Sequence, residues 1–193
     1  MAGSRRDRGP SSPWSLESVV PRVQSMDTSS LLLELYGRIP PLAADAVDGL
    51  SSEDLCRPPA PGANTIGWLV WHLARVQDHH ISELLGTEQI WAGGDWARRV
   101  GLTPDPTNTG YGHTEEEVRA VQPDGPAVLL EYLAEVDART SAMLEGLGPD
   151  DLDRVVDRRW DPPVTLGVRL VSVADDCLQH VGQAAYARGA LGD

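Results

Sequence analysis

Between residues 28 and 50 the apolar side chains Leu31, Leu32, Leu35, Ile39, Leu42, Ala46 and Leu50 recur at three- and four-residue intervals. That is the period of one buried face of an α-helix. Thr28 or Ser29 can cap its start, and Pro40 and Pro41 inside the run must bend or restart it, because proline loses the i−4 hydrogen bond. Ser51 to Leu55 then reads as a short capped turn, and Arg57 to Asn64 as a proline-rich loop. A second helix is predicted from Ile66 to about Leu85, capped by Thr65 and closed by Gly86. Its apolar stripe is Ile66, Leu69, Leu73, Val76 and Leu84, with Trp68 and Trp71 on the flanks. Pro126 opens a third long helix, which places Val128, Leu129, Tyr132, Leu133, Val136, Met143 and Leu144 on one face. Thr165 caps the last helix, predicted to reach about Ala190. Its inward stripe is Leu166, Val173, Asp176, His180 and Gln183, with Leu170, Cys177 and Ala184 beside it.

The connections carry less pattern. Thr87 to His113 is rich in Gly, Pro, Asp and Trp, and an aperiodic loop of that length usually covers a binding site or rests on neighbouring chains. Thr114 with Glu117 forms a capping box for a short helix ending near Val121. Asp150 to Arg159 reads as a charged turn, and Trp160 to Val164 as an extended approach to the last helix. Residues 1–26, rich in Ser, Pro and Arg, are expected to be a disordered leader, and residues 27–193 a single helical domain. Four main helices with little strand define an all-α fold, a four-helix up-and-down bundle with a long loop between helices 2 and 3.

Composition narrows the function. A net charge of −13 argues against nucleic acid or an anionic membrane as partner, because phosphate binding needs clustered positive charge. The longest apolar runs are interrupted too often to span a bilayer. The N-terminal arginines have no apolar stretch behind them, unlike a signal peptide. Two distant cysteines, Cys56 and Cys177, fit a reducing cytoplasm. All sixteen basic residues are arginine, which excludes a Schiff-base lysine, a Walker-type phosphate loop and a Ser-Lys nucleophile.

Asp176 and His180 stand four apart, roughly 6 Å between Cβ atoms on one helical face. With His72 from a facing helix they could close on one metal ion and leave positions open for water or substrate. Each has a plainer reading: His72 as a hydrogen-bonded core histidine, Asp176 as the partner of Arg169 or Arg188. His79 and His80 could support such a site or lie on the surface, and His113 could reach it from the long loop or simply hold that loop. Trp91, Trp96 and Trp160 could form a substrate wall or pack the loops. Arg75, Arg158, Arg159 and Arg169 could grip a carboxylate in two-pronged fashion or pair with the abundant acids.

The blocks NTIGWLVWHLARVQDHH, residues 64–80, and LVSVADDCLQHVGQAAYARGAL, residues 170–191, resemble the DinB-like superfamily of metal-dependent four-helix bundles. The resemblance is to its actinobacterial branch, related to mycothiol-dependent maleylpyruvate isomerase. It implies a divalent metal, zinc or nickel, held by His72, Asp176 and His180. Many members carry His where this chain has Asp176, and some with thiol-transferase activity carry a carboxylate there. The resemblance further implies a low-molecular-weight thiol such as mycothiol attacking an electrophilic small molecule, and the chemistry of the guanidinium makes Arg75 and Arg169 the candidate cosubstrate contacts. A metal-dependent hydrolase uses the same ligands, and a stress-associated metal- or ligand-binding bundle without turnover is the non-enzymatic alternative. The chain is expected to be cytoplasmic, and a monomer or homodimer.

Overall fold

Local capping chemistry sets the elements of the computed structural model, which describes residues 26–192; the expected leader lies almost entirely outside them. Helix α1 spans Thr28–Tyr36, and the cap is Asp27, whose carboxylate accepts from the Ser30 amide. The two prolines restart the chain as α2, Ile39–Val47, where they occupy the first turn and cost no hydrogen bond. Ser51 and Asp54 form a capping box for α3, Ser52–Cys56. Thr65 caps α4, Ile66–Leu85, which stops at Gly86 in the left-handed conformation. The long segment after it holds one turn of 3-10 helix, Ile90–Ala92, and the short α5, Trp96–Arg99. Thr114 and Glu117 cap α6, Glu115–Ala120, and Pro126 opens α7, Pro126–Glu145. The expected charged turn is a 3-10 turn, Pro149–Asp153, followed by a hairpin of β1, Val155–Asp157, and β2, Val164–Thr165. Helix α8 then runs Leu166–Leu191.

Four helical columns surround one core: α1 with α2, then α4, α7 and α8. Specific contacts give their directions. Tyr36 donates to the Leu170 carbonyl and Arg188 to the Asp45 carbonyl, so the first column runs parallel to α8. Cys177 lies against Leu73, and Arg169 against His80, so α8 is antiparallel to α4. Gly67 abuts Pro123, just before α7, while Arg139 reaches Ser82, so α4 and α7 run parallel. The bundle is thus up, down, down, up. A parallel pair needs a connection as long as the helices, and residues 87–125 supply it.

That connection also changes which side chains are buried. Trp68 and Trp71, expected on the flanks of α4, are buried, as are His72, Arg75, Gln77 and Asp78. The loop packs on the face that α7 and α8 leave open, so α4 is enclosed on nearly every side. On α8 the buried line is Leu166, Leu170, Val173, Cys177, Val181, Ala184 and Ala187. Gln183, expected inside, is exposed, and Asp176 and His180 lie at the edge of the core facing the α4 seam.

Candidate metal centre

His72 projects from α4 into the seam with α8, where Asp176 and His180 meet it. One ligand atom from each of the three lies within 4.8 Å of the others. The His180 Nε2 atom is 3.6 Å from Asp176 Oδ1. The rings of His72 and His180 meet edge to face at 4.6 Å, and Trp68 stacks on His72 at 4.6 Å and meets His180 edge-on.

The hydrogen bonds decide which atoms are available. His72 Nδ1 lies 2.5 Å from the Thr109 carbonyl oxygen, which can only accept, so Nδ1 carries the proton. His180 Nδ1 likewise donates to Gln183 Oε1 at 2.9 Å. Both imidazoles therefore direct an Nε2 lone pair away from these anchors, and metal-binding histidines are commonly fixed in this way. Asp176 Oδ2 is buried and has no hydrogen-bond partner among the described residues. An orphaned carboxylate oxygen inside a protein is costly, and a cation beside it removes the cost. Two imidazole nitrogens and a carboxylate are suitable donors for a borderline divalent metal. The residues present fit the implied metal.

Proton affinities separate the two histidines. Burial lowers the pKa of His72, partly opposed by its bond to Thr109, so it stays neutral. The Asp176 carboxylate beside it raises that of His180. A proton and a metal therefore compete for the same nitrogen.

The loop that holds His72 is itself held. Gly110 lies so close that a Cβ there would sit 2.8 Å from His72 Nδ1 and 2.9 Å from the Trp71 ring, and its φ is +91°. Asn108 Oδ1 accepts from the Gly110 amide and from His113 Nε2, while His113 Nδ1 accepts from the Trp68 indole. Both nitrogens of His113 are committed, which fixes it as a loop anchor.

Arg75 departs from its expected role as a cosubstrate contact. It is fully buried and stacks over Trp91, and its five N–H groups meet five acceptors: Asn108 O, Asp78 Oδ2, Tyr132 Oη, Gln89 Oε1 and Pro106 O. No donor is left for a bound molecule, because the loop, Asp78 and Tyr132 consume them. Arg169 is largely buried, donating to Asp157 and to His80 Nδ1. Asp157 also takes the Arg159 guanidinium and amide, which hold its carboxyl well below the usual range.

His79, His80 and Glu83 form a second cluster of possible ligands. Arg169 lies against His80 there, and a guanidinium in hydrogen-bond contact with a would-be ligand opposes a second cation. Burial, Arg169 and His79 together pull His80 down to about 4. Of the tryptophans, Trp91 is buried with its indole donating to Asp105 O, while Trp96 is half-buried and Trp160 exposed. The aromatic wall of the centre is Trp68. Sequence reasoning did not find Thr109, Gly110 or Gln183. Gln183 sits in the QHVGQ block three residues after His180, a spacing that could have revealed it.

A helical bundle with a two-histidine, one-carboxylate cluster between its second and fourth columns defines a class, the DinB-like bundles with a candidate metal centre. Within it, the Mycothiol-S-transferase family profile matches residues 42–192, and the chain belongs to that family. A solved structure of a conserved protein from Enterococcus faecalis is 33% identical, with a TM-score of 0.80, covering 88% of this chain and all of that one. The structure of YfiT from Bacillus subtilis, described as a "probable metal-dependent hydrolase with an unusual four-helix bundle topology", is similar in fold at 18% identity and a TM-score of 0.60. It covers 90% of this chain and 93% of that one. No curated protein matches the chain. Among the described residues no helix is long and apolar enough to cross a membrane.

Proposed function

We propose that the chain is a metal-dependent transferase that uses a low-molecular-weight thiol of the mycothiol type against an electrophilic small molecule. One observation carries the reading: two histidines whose Nδ1 protons are committed to outside acceptors share a 4.8 Å cluster with Asp176, whose buried Oδ2 has no partner among the described residues. His72, Asp176 and His180 would hold zinc or nickel. When bound, such an ion supplies Lewis acidity that lowers the pKa of a thiol placed on it, giving a nucleophile near neutral pH. The residues of the chain supply the rest. Thr109 and Gln183 orient the imidazoles, Trp68 walls one side against water, and the burial of His72 keeps it unprotonated. Arg169 lies seven residues before Asp176 on α8, roughly 10 Å along the helix. It lines a cavity of about 190 Å³ with Arg154 and Glu83, and its Nε has no partner among the described residues. We assign it to a hydrogen-bond acceptor of the cosubstrate.

Metal analysis of the wild type beside His180→Ala comes first, and the variant is expected to retain less than about a tenth of the metal. Equal metal in both proteins overturns the ligand assignment. The metal-loaded wild type is then incubated with mycothiol and 1-chloro-2,4-dinitrobenzene, and loss of free thiol is followed. Thiol-independent ester hydrolysis by the same protein, with no thiol consumed, would support the hydrolase chemistry instead.

A further inference from the structure

On the α7 side of the bundle, away from the α4–α8 seam, a cavity of about 480 Å³ opens between the segment after α4, helix α5 and α7. It shares no residue with the metal centre. Its volume is in the range that holds small organic ligands. What distinguishes it is the number of polar groups left unspent. Arg139 uses only Nη1, donating to Ser82 Oγ and the Glu88 carbonyl, and its Nε and Nη2 meet no acceptor among the described residues. Arg99 gives Nη1 to Glu131 and turns Nε toward Asp124 at 3.8 Å, which leaves Nη2 without a partner among them. The indole N–H of Trp96 is likewise unbonded there; the Arg99 guanidinium lies over its ring and Tyr132 meets it at a tilt. Against these donors stand two carboxylates, Glu88 and Glu135, which line the same cavity and take no ion pair or hydrogen bond from a described side chain.

The spare Nε and Nη2 fork of Arg139 matches a carboxylate, and Arg99 Nη2 adds further donors. Two unpaired carboxylates match an ammonium group, and the part of the half-buried Trp96 indole that lines the cavity offers an aromatic surface to an apolar ring. We propose that this cavity is a second ligand site, for a small zwitterion with a planar apolar side chain: an aromatic amino acid or a dipeptide carrying one. Arg139 and Arg99 take the carboxylate, Glu135 the ammonium, and Trp96 the ring.

Calorimetric titration of the full chain tests this with four probes: phenylalanine, phenylalanylglycine, N-acetylphenylalanine, which lacks the cation, and phenylalaninamide, which lacks the anion. At least one of the two zwitterions is expected to bind with a Kd below about 1 mM, and each blocked probe at least about tenfold more weakly. Which zwitterion binds tighter separates amino acid from dipeptide. Arg139 also braces the fold, so the decisive variant is Glu135→Gln, on the exposed face of α7. It should weaken the zwitterion about tenfold and leave N-acetylphenylalanine unchanged. No saturable binding of either zwitterion up to about 10 mM overturns the proposal, as does equal binding by Glu135→Gln and wild type.

Discussion

His72 and His180 show how far a histidine's role depends on what its second nitrogen touches. Neither side chain would be poised for a metal if Nδ1 were free to rotate toward the seam. Removing the anchor of His180 should therefore weaken the centre while leaving its ligands in place. Gln183→Ala is expected to lower metal affinity about 10- to 100-fold, measured by chelator competition, while the far-UV spectrum stays unchanged. Gly110→Ala attacks the other anchor. It forces a side chain into a left-handed backbone and into contact with His72, and should cost about 1–3 kcal/mol in denaturant unfolding together with a loss of metal. Asp176 and His180 could be paired because helical spacing predicts which side chains share a face, whereas His72, on another helix, was joined to them by the family resemblance. Thr109 was not, since what it supplies is a backbone carbonyl, and Gly110 was one glycine among nineteen. Arg75 misled for a related reason: an arginine near a site suggests anion binding, and only the folded loop reveals that its donors are already taken.

Among the elements, α4 is the member on which the others close. Asp78 on its inner turn accepts from the Ile90 and Trp91 amides, the Ser82 hydroxyl and the Tyr132 phenol, tying α4 to the covering segment and to α7. Tyr132→Phe leaves Asp78 with one strong donor fewer in a buried setting. The expected cost is about 1–3 kcal/mol, read from the shift in denaturant midpoint with an unchanged slope. The boundaries of α4, α6, α7 and α8 could be read closely from caps and prolines, which are local chemistry. Helix direction could not. The long connection signalled that something was covered, but that α4 and α7 run parallel emerges only from pairs such as Gly67 with Pro123. The rotation of α8 also escaped, because a polar line beside an apolar one looks inward until the neighbouring column is placed.

For the whole molecule, His80 makes folding depend on acidity. Its pKa is about 4 in the folded protein and near 6.5 when the chain is unfolded. Above 6.5 both forms are neutral and it contributes nothing. Between 6.5 and 4 the unfolded chain takes up a proton that the folded one refuses, so stability falls as pH drops through that window. Urea midpoints of the metal-free protein at pH 7.5, 6 and 5 should show this decline, less steep in His80→Gln. A bound metal acts in the other direction: at a hundredfold excess over Kd it should add about 2.7 kcal/mol, visible as a rise in Tm that chelation reverses.

The carbonyl at Thr109 has a consequence for how this protein can change. Every amino acid brings the same carbonyl, so position 109 can drift through most side chains without loosening the imidazole beneath it. Position 110, one peptide further on, tolerates almost nothing but hydrogen. A saturation library scored for cation retention should therefore show a permissive site directly beside a forbidding one.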